Sequence, residues 1–417
     1  MTQLSDDCFA FGGELMSVPE ALNVLRARTV ALPGVERVSL GEALGRVLAA
    51  PLRAERNVPP YDSSAVDGYA VFFQDLKAAA DTQLTLGGRA TAGHPLGRPA
   101  RRGEAIRIFT GAPVPEGPDT VLMQEDCEEA SGAVTIPPGI RQGANLRKAG
   151  EDISAGDEVL VAGARLRAQE IGIAASLGLT ELEVYRPLRV ALLSTGDEVG
   201  EPGADLAQGM LYDSNRYVLR ALLTGLGCQV TDLGVLPDRM EVIRDALGKA
   251  AADHDVIVTS GGMSTGDEDH VKSAVEAQGS IHFWRLAIKP GRPVALGQIG
   301  RVPFLGLPGN PVAVMVTFLT LARPLLLRLS GALDKEPLSF LVPMGFPHEK
   351  RAGRREYLRA RLTRGDKGRA LERLARDGAG VLTSMAEADG LAVVTEEVTA
   401  LQPGDLVEFI PFTELIG

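Results

Sequence analysis

The sequence predicts a multidomain protein that combines an α/β domain with β domains. Three observations predict this class. From residue 188 to residue 330, short apolar runs alternate with helical patterns. From residue 67 to about residue 150, short apolar runs alternate with Gly and Pro turns, and the segment 336–417 is again strand-like. The 417 residues give room for about two to four domains.

The α/β segment predicts a three-layer domain with a mostly parallel sheet. Strands that alternate with helices pair in parallel and are covered on both faces. The predicted strands are 189–193, 229–233, 255–259, 294–296 and 303–307. The predicted helices are 215–225, 239–252, 269–277 and 311–329.

The N-terminal region predicts a mixed domain that an insertion interrupts. Ser17 and Glu20 form a capping box with Pro19 in the first turn, which predicts a helix from residue 18 to about residue 28. A second amphipathic piece follows at 38–49, and strand and helix patterns return at 158–161 and 168–177. The predicted domains are a discontinuous N-terminal linker domain (1–56 and 150–187), an inserted β domain (57–149), the α/β domain (188–330) and a C-terminal β domain (336–417).

Composition and charge restrict the classes of function. The formal net charge of −11 disfavours non-specific binding to nucleic acid. The scattered cysteines Cys8, Cys127 and Cys228 indicate a reducing compartment, without a disulfide framework or a cysteine-based metal site. The N-terminus lacks the pattern of a signal peptide, and the longest apolar run, 312–322, is too short for a bilayer and predicts a core helix. We therefore expect a cytoplasmic protein.

The stretch from Val256 to Val271 carries the strongest chemical signal. A buried strand runs into Ser260, Gly261 and Gly262, where a backbone without Cβ atoms can approach a ligand closely. A strand, a Gly-rich loop and a helix start form a cradle for phosphate on free N–H groups. Three carboxylates follow at 267–269. Beside a phosphate they need a hard cation such as Mg²⁺; otherwise they only complement the helix dipole.

Two further polar loops that contain Gly follow predicted strands, at 194–198 and at 307–311. Ligands of open α/β sheets lie outside the carboxyl ends of the strands. We therefore expect the three loops to gather at one edge of the sheet. Pro311 suits the first position of a helix and Asn310 its cap, so the third loop predicts a pocket wall.

These motifs and several others together resemble one family. The matching stretches are 59–70 (PPYDSSAVDGYA), 110–115 (TGAPVP), 145–153 (NLRKAGEDI), 194–198 (STGDE), 212–215 (YDSN), 260–269 (SGGMSTGDED), 288–293 (IKPGRP) and 307–312 (LPGNPV). A weaker match follows at Gly353-Arg354 and Ser384-Met385. The chain closely resembles the molybdopterin molybdenumtransferases, the family of MoeA and of the E domain of gephyrin.

The resemblance implies an elongated homodimer of four-domain chains, in which the α/β domain is similar to MogA. It also implies a reaction in which molybdate is joined to the dithiolene of adenylylated molybdopterin, with Mg²⁺ as cofactor and AMP as the released product. Molybdate and adenylylated molybdopterin are then the substrates. The molybdopterin adenylyltransferase and recipient molybdoenzymes are the expected protein partners, and we expect neither nucleic acid nor membrane among the partners.

The resemblance further assigns roles to residues. The expected catalytic residues are Asp67, Glu198 and Asp269, and the expected Mg²⁺ ligands are Glu198, Asp267 and Asp269. The expected substrate-binding residues are Thr110, Asp152, Ser260, Gly261, Gly262, Asp238, Pro308 and Asn310. An acidic protein needs local cations to hold an oxyanion. Molybdate is therefore expected at Lys289, Arg292, Arg354 and Ser384.

Several of these residues also suit a purely structural role. Asp67 before Gly68 is typical of a turn, and Asp238 after Pro237 is typical of a helix N-cap. Two other functions stay open: a molybdopterin adenylyltransferase, and a scaffold of the gephyrin type. The single-domain adenylyltransferases lack the β insert and the C-terminal domain. A pure scaffold has no need of the three catalytic carboxylates.

Overall fold

The computed structural model describes residues 15–261, 270–365 and 368–416. Within these residues, the centre of the protein is a seven-stranded sheet in which only Pro293–Ile299 runs against the other strands. The mostly parallel α/β sheet is therefore confirmed. The strand order is Leu15–Met16, Gly279–Leu286, Pro293–Ile299, Val302–Leu307, Val256–Ser260, Arg189–Thr195 and Gln229–Leu236.

Helices cover both faces of this sheet, as a doubly covered sheet requires. Leu192, Val258 and Leu305 face one core, and their neighbours along the strands face the other. Strand side chains alternate between faces, which explains the two separate cores. The first face carries helices Val18–Arg28, Asn215–Gly225 and Pro311–Leu329, and the second carries Met240–Asp253 and His270–Glu276.

The three central strands end at the same level. In the parallel ladders, Ser194 lies opposite Ser260, and Ser260 lies opposite Leu307. The loops that follow these strands therefore leave the sheet side by side. The predicted gathering of the loops at one edge follows directly from this register.

Among the described residues, the inserted β domain contains a six-stranded sheet. Its strands Thr120–Met123 and Ala133–Ile136 coincide with two of the short apolar runs that predicted a β domain here. The sheet order is Thr120–Met123, Gly68–Val71, Glu104–Ile108, Thr82–Ala90, Ala133–Ile136 and Glu128–Ala130. The short pair Ser63–Ser64 and Leu146–Arg147 joins the two ends of the insert.

Antiparallel pairs join the chain before the insert to the chain after it. Val35–Ser39 pairs with Glu181–Tyr185, and Leu52–Arg53 pairs with Glu158–Leu160. Helix Ala168–Ser176 packs in the same core. These pairings are what a discontinuous linker domain requires, and its proposed boundaries stay a prediction.

The C-terminal region forms a second β unit. Its main sheet has the order Ile288–Lys289, Arg355–Gly365, Gly390–Val394, Leu406–Pro411 and Phe340–Pro343, with Gly368–Arg373 paired to Arg355–Gly365. The smaller elements are the pair His348–Glu349 and Ala400–Leu401 and the helices Thr383–Glu387 and Phe412–Ile416. The strand Ile288–Lys289 comes from the α/β segment, so it ties the two domains together.

Some elements differ from the prediction. The amphipathic piece expected at 38–49 is a strand, Val35–Ser39, followed by a 3-10 turn, Leu40–Glu42. Cross-strand pairing with Glu181–Tyr185 outweighs the helical pattern there. The strand Thr82–Ala90 was not predicted, because Gly87 and Gly88 resemble a turn; they form a bulge instead. The helix Val18–Arg28 and its Ser17–Glu20 capping box are confirmed.

The helix Pro311–Leu329 is long and apolar enough to cross a membrane by length and composition alone. Most of it is buried inside the protein, against the central sheet. Its middle turn, Phe318–Ala322, is a π-helix. The burial of this helix confirms the prediction of a core helix.

The two-core arrangement predicts the effect of removing a buried ring. Phe304 is completely buried in the second core, whereas Phe340 is 56% exposed. We expect Phe304→Ala to lower the free energy of unfolding by about 3–5 kcal/mol, because it leaves a cavity. Urea denaturation measures this, and Phe340→Ala is the matched control, with an expected change within about 0.5 kcal/mol. Equal losses in both variants would contradict the packing described here.

Candidate active site

A cleft of about 600 Å³ opens where the three central strands end. All three predicted loops line it, through Ser194 and Glu198, through Ser260 and Gly261, and through residues 309–311. Gly380 of the C-terminal domain closes one side. A polar cleft outside the carboxyl ends of parallel strands is the usual ligand site of this architecture.

At Gly261 the backbone of one loop lies close to the backbone of Thr195. Its φ is +85°, and a Cβ atom placed there would lie 2.8 Å from the carbonyl oxygen of Thr195. Ser260 next to it donates its hydroxyl to the carbonyl of Pro308 at 3.4 Å. Any side chain at 261 would therefore push the loops apart. Gly262, Asp267 and Asp269 lie outside the described residues.

Two buried oxygen atoms of the cleft have no hydrogen-bond partner among the described residues. They are Ser194 Oγ and Asn215 Oδ1. The amide nitrogen of Asn215 is occupied, since it donates to the carbonyl of Gly309 at 2.7 Å. Buried polar atoms are nearly always paired, so two unpaired ones on residues that line one cleft indicate a polar ligand there.

A buried ion-pair network supports the cleft from behind, and sequence reasoning missed it. Asp213 lines the cleft, accepts the N–H of Arg216 at 3.0 Å and pairs with its guanidinium at 3.1 Å. The same guanidinium also pairs with Asp232 and Glu201. Three carboxylates around one buried cation hold the start of helix Asn215–Gly225 in place. The signal in the sequence was the YDSN motif at 212–215.

Glu198 and Asp238 lie near the cleft in different settings. The Glu198 side chain is exposed and folds back over Gly196, whose φ is +141°. Asp238 is half-buried and accepts a hydrogen bond from Thr195 Oγ1 at 3.5 Å. The prediction that Asp238 caps the next helix is wrong, because residue 239 holds the cap position and no side chain caps there. Its contact with Thr195 replaces the cap and places Asp238 next to the cleft.

Residues 309–311 form a wall of the cleft, as predicted for Asn310 and Pro311, whereas Pro308 does not line the cleft and accepts the hydroxyl of Ser260. Asn310 holds the cap position and Pro311 the first turn of the long helix. The Asn310 side chain makes no capping hydrogen bond. It lines the cleft, where its amide is available to a ligand.

A second cavity, of about 310 Å³, lies on the other side of residues 378–380. Gly378 and Ala379 line this cavity. Gly380 lines the cleft formed by the three loops at the sheet edge, which we call the loop cleft. One short segment of the C-terminal domain therefore forms a wall of both spaces. The charged residues of the second cavity are Lys289, His348, Glu356, Arg359, Arg373, Arg376 and Asp377.

Glu356 organises this second cavity. It is buried, it pairs with Lys289 Nζ at 3.2 Å, and it contacts His348 Nε2 at 3.0 Å. Lys289 is placed by strand pairing, since its register partner is Glu356 itself. The sequence predicted Lys289 as a site residue. It did not predict Glu356, His348 or Arg359, because only the pairing of strands in the folded chain brings these residues close to Lys289.

The other residues expected to bind molybdate have different surroundings. Arg292 is exposed and Arg354 is half-buried, and neither lines the second cavity. Ser384 is buried, donates its hydroxyl to the carbonyl of Val381 at 2.6 Å and accepts from Arg359 Nε at 3.1 Å. Ser384 therefore contacts Arg359. A direct contact of these three residues with molybdate stays a prediction.

Asp67, Thr110 and Asp152 lie outside both spaces. Asp67 Oδ1 accepts the backbone N–H of Thr110 at 2.8 Å and its hydroxyl at 2.9 Å. These hydrogen bonds, first that of the backbone, hold the pKa of Asp67 below its ordinary value. Asp152 is exposed. The chain brings Asp67 and Thr110 together, and it does not bring them to the loop cleft.

The fold and the cleft define a multidomain protein with a polar cleft at the carboxyl edge of an α/β sheet. Comparison with known families makes this specific. Residues 16–178 match the MoeA N-terminal region (domains I and II), residues 191–328 match a probable molybdopterin binding domain, and residues 342–412 match the MoeA C-terminal region (domain IV).

Similar proteins are known in several organisms. The molybdopterin molybdenumtransferase of Haemophilus influenzae is 37% identical over 385 residues, which cover 92% of this chain and 95% of that protein. The molybdopterin molybdenumtransferase 2 of Mycobacterium tuberculosis is 33% identical, with 88% and 92% covered. A molybdopterin biosynthesis MoeA protein from Pyrococcus horikoshii has a solved structure with a TM-score of 0.78 and 31% identity, over 96% of this chain and 99% of that chain. The chain therefore belongs to the molybdopterin molybdenumtransferase (MoeA) family.

The position of Ser384 predicts a structural effect. We expect Ser384→Ala to lower the free energy of unfolding by about 1–3 kcal/mol, because it leaves the buried Arg359 Nε without its acceptor. Chemical denaturation measures this. Ser176→Ala is the matched control: its hydroxyl also donates to the carbonyl three residues earlier, at 2.8 Å, but it is exposed. A loss no larger than that of the control would remove Ser384 from the support of Arg359.

Proposed function

We propose that this chain is a molybdopterin molybdenumtransferase, which joins molybdate to the dithiolene of adenylylated molybdopterin and releases AMP. Membership of the family over almost the whole chain supports molybdenum transfer. The observation that carries the proposal is the convergence of three polar loops on one cleft that holds two unpaired oxygen atoms.

In this proposal the loop cleft binds the phosphate groups of the substrate. Gly261 lets the loop after Ser260 pack directly against Thr195, which keeps the loops around the cleft close together. Ser194 Oγ can donate a hydrogen bond to a phosphate oxygen, and Asn215 Oδ1 can accept one from an N–H or O–H group. Pre-positioned donors around a phosphate favour cleavage of the anhydride that joins AMP to the pterin phosphate.

The residues of the cleft also fit Mg²⁺. Hard cations take oxygen ligands, and the cleft offers the exposed carboxylate of Glu198 together with the unpaired Ser194 Oγ and Asn215 Oδ1. The described residues contain no cluster of three or more His, Cys, Asp or Glu residues that could hold a metal. When bound, the ion would neutralise charge on the substrate phosphates. We propose Glu198 as its ligand in the described part of the cleft, with Asp267 and Asp269 as further ligands.

The second cavity suits the oxyanion. Lys289, Arg359, Arg373 and Arg376 supply four cationic side chains around one space, against Glu356 and Asp377. Guanidinium and ammonium groups are the usual partners of oxyanions. Residues 378–380 lie between the second cavity and the cleft. Molybdate bound in the second cavity would therefore lie next to the pterin bound in the cleft. Arg292 and Arg354 lie just before the strands Pro293–Ile299 and Arg355–Gly365, outside the cavity lining, and in this proposal they complete the clamp from there.

A second copy of the chain is proposed to complete the site. Asp67 and Thr110 form a fixed pair that faces neither cavity of their own chain. A homodimer would let the insert of one chain reach the cleft of the other, and Asp152 would contribute from the same side.

The homodimer is testable in solution. We expect sedimentation equilibrium at micromolar concentration to give the mass of two chains, each of 44.0 kDa. Asp67→Asn should leave the mass unchanged and lower the rate of AMP release, because the carboxylate acts across the interface. A mass of one chain would contradict the dimer and would leave Asp67 without a route to the cleft.

The alternative functions receive less support. The match with this chain covers more than 90% of each of the two relatives named above, and both are named as molybdenumtransferases. This does not favour an adenylyltransferase. A scaffold role would leave the unpaired polar atoms of the cleft without a purpose. We further propose that the protein works in the cytoplasm, receives its substrate from the molybdopterin adenylyltransferase and passes its product to recipient molybdoenzymes.

Release of AMP tests the proposed reaction. The chain is incubated with adenylylated molybdopterin and Mg²⁺, with and without molybdate, and AMP is measured by chromatography. We expect AMP to form faster with molybdate than without it. We expect Glu198→Gln to lower the rate at least about tenfold at limiting Mg²⁺, since it removes the charge that binds the ion.

Glu181→Gln is the matched control for this assay. Glu181 is exposed and lies on a strand of the linker domain, outside the loop cleft. Its variant should keep the full rate. Wild-type protein that releases no AMP under these conditions would overturn the proposed function, and an equal effect of both variants would remove Glu198 from the site.

A further inference from the structure

A third cavity, of about 520 Å³, lies where the linker domain, the helix Pro311–Leu329 and the C-terminal helix Phe412–Ile416 meet. It shares no lining residue with the loop cleft or with the cavity at Lys289. Its size falls within the range of small-molecule pockets, about 300–1,000 Å³. Its apolar walls include Leu44, Leu166, Leu327 and Leu333.

Cationic side chains outnumber carboxylates in this cavity. Arg167 and Glu170 neutralise each other in an ion pair of 2.6 Å. The other charged residues of the lining are Arg165, Arg323, Lys335 and Glu414. Three cations thus share the space with one further carboxylate, in a chain whose net charge is −11.

Arg323 is the most unusual of these residues. Its Nη2 donates to the backbone carbonyl of Glu414 at 3.1 Å. Its Nε is buried without a hydrogen-bond partner in the described part of the protein, and its guanidinium forms no ion pair with any described carboxylate. Burial, and after it the charge of Arg165, lower the pKa of Arg323.

Arg165 faces the same space. Its Nη2 donates to the carbonyl of Gly225 at 2.8 Å, at the end of helix Asn215–Gly225. Among residues 15–261, 270–365 and 368–416 it has no carboxylate partner at ion-pair distance. Glu414 lines the same cavity, and its charge opposes the lowering of the Arg323 pKa only in part. Two like charges that influence each other without an ion pair to either are unfavourable in a folded protein.

An anion in the cavity removes this conflict. A phosphate or carboxylate group accepts N–H bonds from planar guanidinium forks in good geometry. The leucine walls would then contact an apolar body attached to the anionic group. We propose that this cavity is a second binding site for a small organic anion, a phosphate monoester or a carboxylate with an apolar body, held by Arg323 and Arg165.

The site can be tested with two defined probes. Phenyl phosphate and benzoate are titrated into the full chain by calorimetry, and inorganic phosphate serves as the anion without an apolar body. We expect saturable binding of at least one organic probe, tighter than that of inorganic phosphate. Preference for phenyl phosphate would identify a phosphate ligand, and preference for benzoate a carboxylate ligand.

Variants connect the binding to the cavity. Arg165→Gln and Arg323→Met should each weaken the organic probe at least about tenfold, because each removes charged hydrogen bonds. Arg323→Met should keep the melting temperature or raise it, since it replaces an unpaired buried cation with an apolar chain of similar length. Arg301→Gln, at an exposed arginine on a turn outside the cavity, controls for overall charge.

Three outcomes would overturn the proposal. The first is no saturable binding of either organic probe at millimolar concentration. The second is unchanged affinity in the folded Arg165→Gln and Arg323→Met variants, which would place the probe in the loop cleft. The third is an equal loss in Arg301→Gln, which would show a general effect of charge.

Discussion

The parallel pairing of Arg189–Thr195, Val256–Ser260 and Val302–Leu307 is the constraint on which the rest of the structure depends. Because Ser194, Ser260 and Leu307 lie at one level, three loops leave the sheet together. The two cores on either side of the sheet hold this register, since a shift by one residue would turn each buried side chain to the wrong face. The position of the cleft is therefore a property of the sheet.

A second strand pairing connects the cleft to the C-terminal domain. Ile288–Lys289 leaves the α/β segment and pairs with Arg355–Gly365. This pairing sets Lys289 opposite the buried Glu356. It also brings residues 378–380 between the cleft and the cavity at Lys289. The two cavities thus become neighbours although their residues are far apart in the chain, and this arrangement is what the proposed reaction between two anions requires.

Much of the fold could be predicted because local pattern and tertiary structure agree. The helix Asn215–Gly225 has its predicted bounds, since its apolar spacing matches the face that it buries. The strand Gly279–Leu286 could not be predicted, because polar residues interrupt its apolar pattern and sheet pairing supplies its stability. Asp238 was expected to cap a helix, and its contact with Thr195 decided otherwise.

The candidate site was predictable to a similar extent. The loops at Ser194 and Ser260 could be placed together because parallel strands share an edge. The Arg216 network and the Glu356 contacts could not, because they join residues whose proximity only the folded chain creates. The unpaired atoms Ser194 Oγ and Asn215 Oδ1 are likewise visible only in three dimensions.

The affinity of a Gly261→Ala variant for adenylylated molybdopterin tests the central claim most directly. A Cβ at 261 would lie 2.8 Å from Thr195 O at a φ of +85°, whereas Gly300, with φ +58°, has no atom within 4 Å of its Cβ position. We expect a dissociation constant at least about tenfold higher for Gly261→Ala than for the Gly300→Ala control, with both variants folded. Equal affinities would contradict the claim that the loops at the sheet edge form the substrate site.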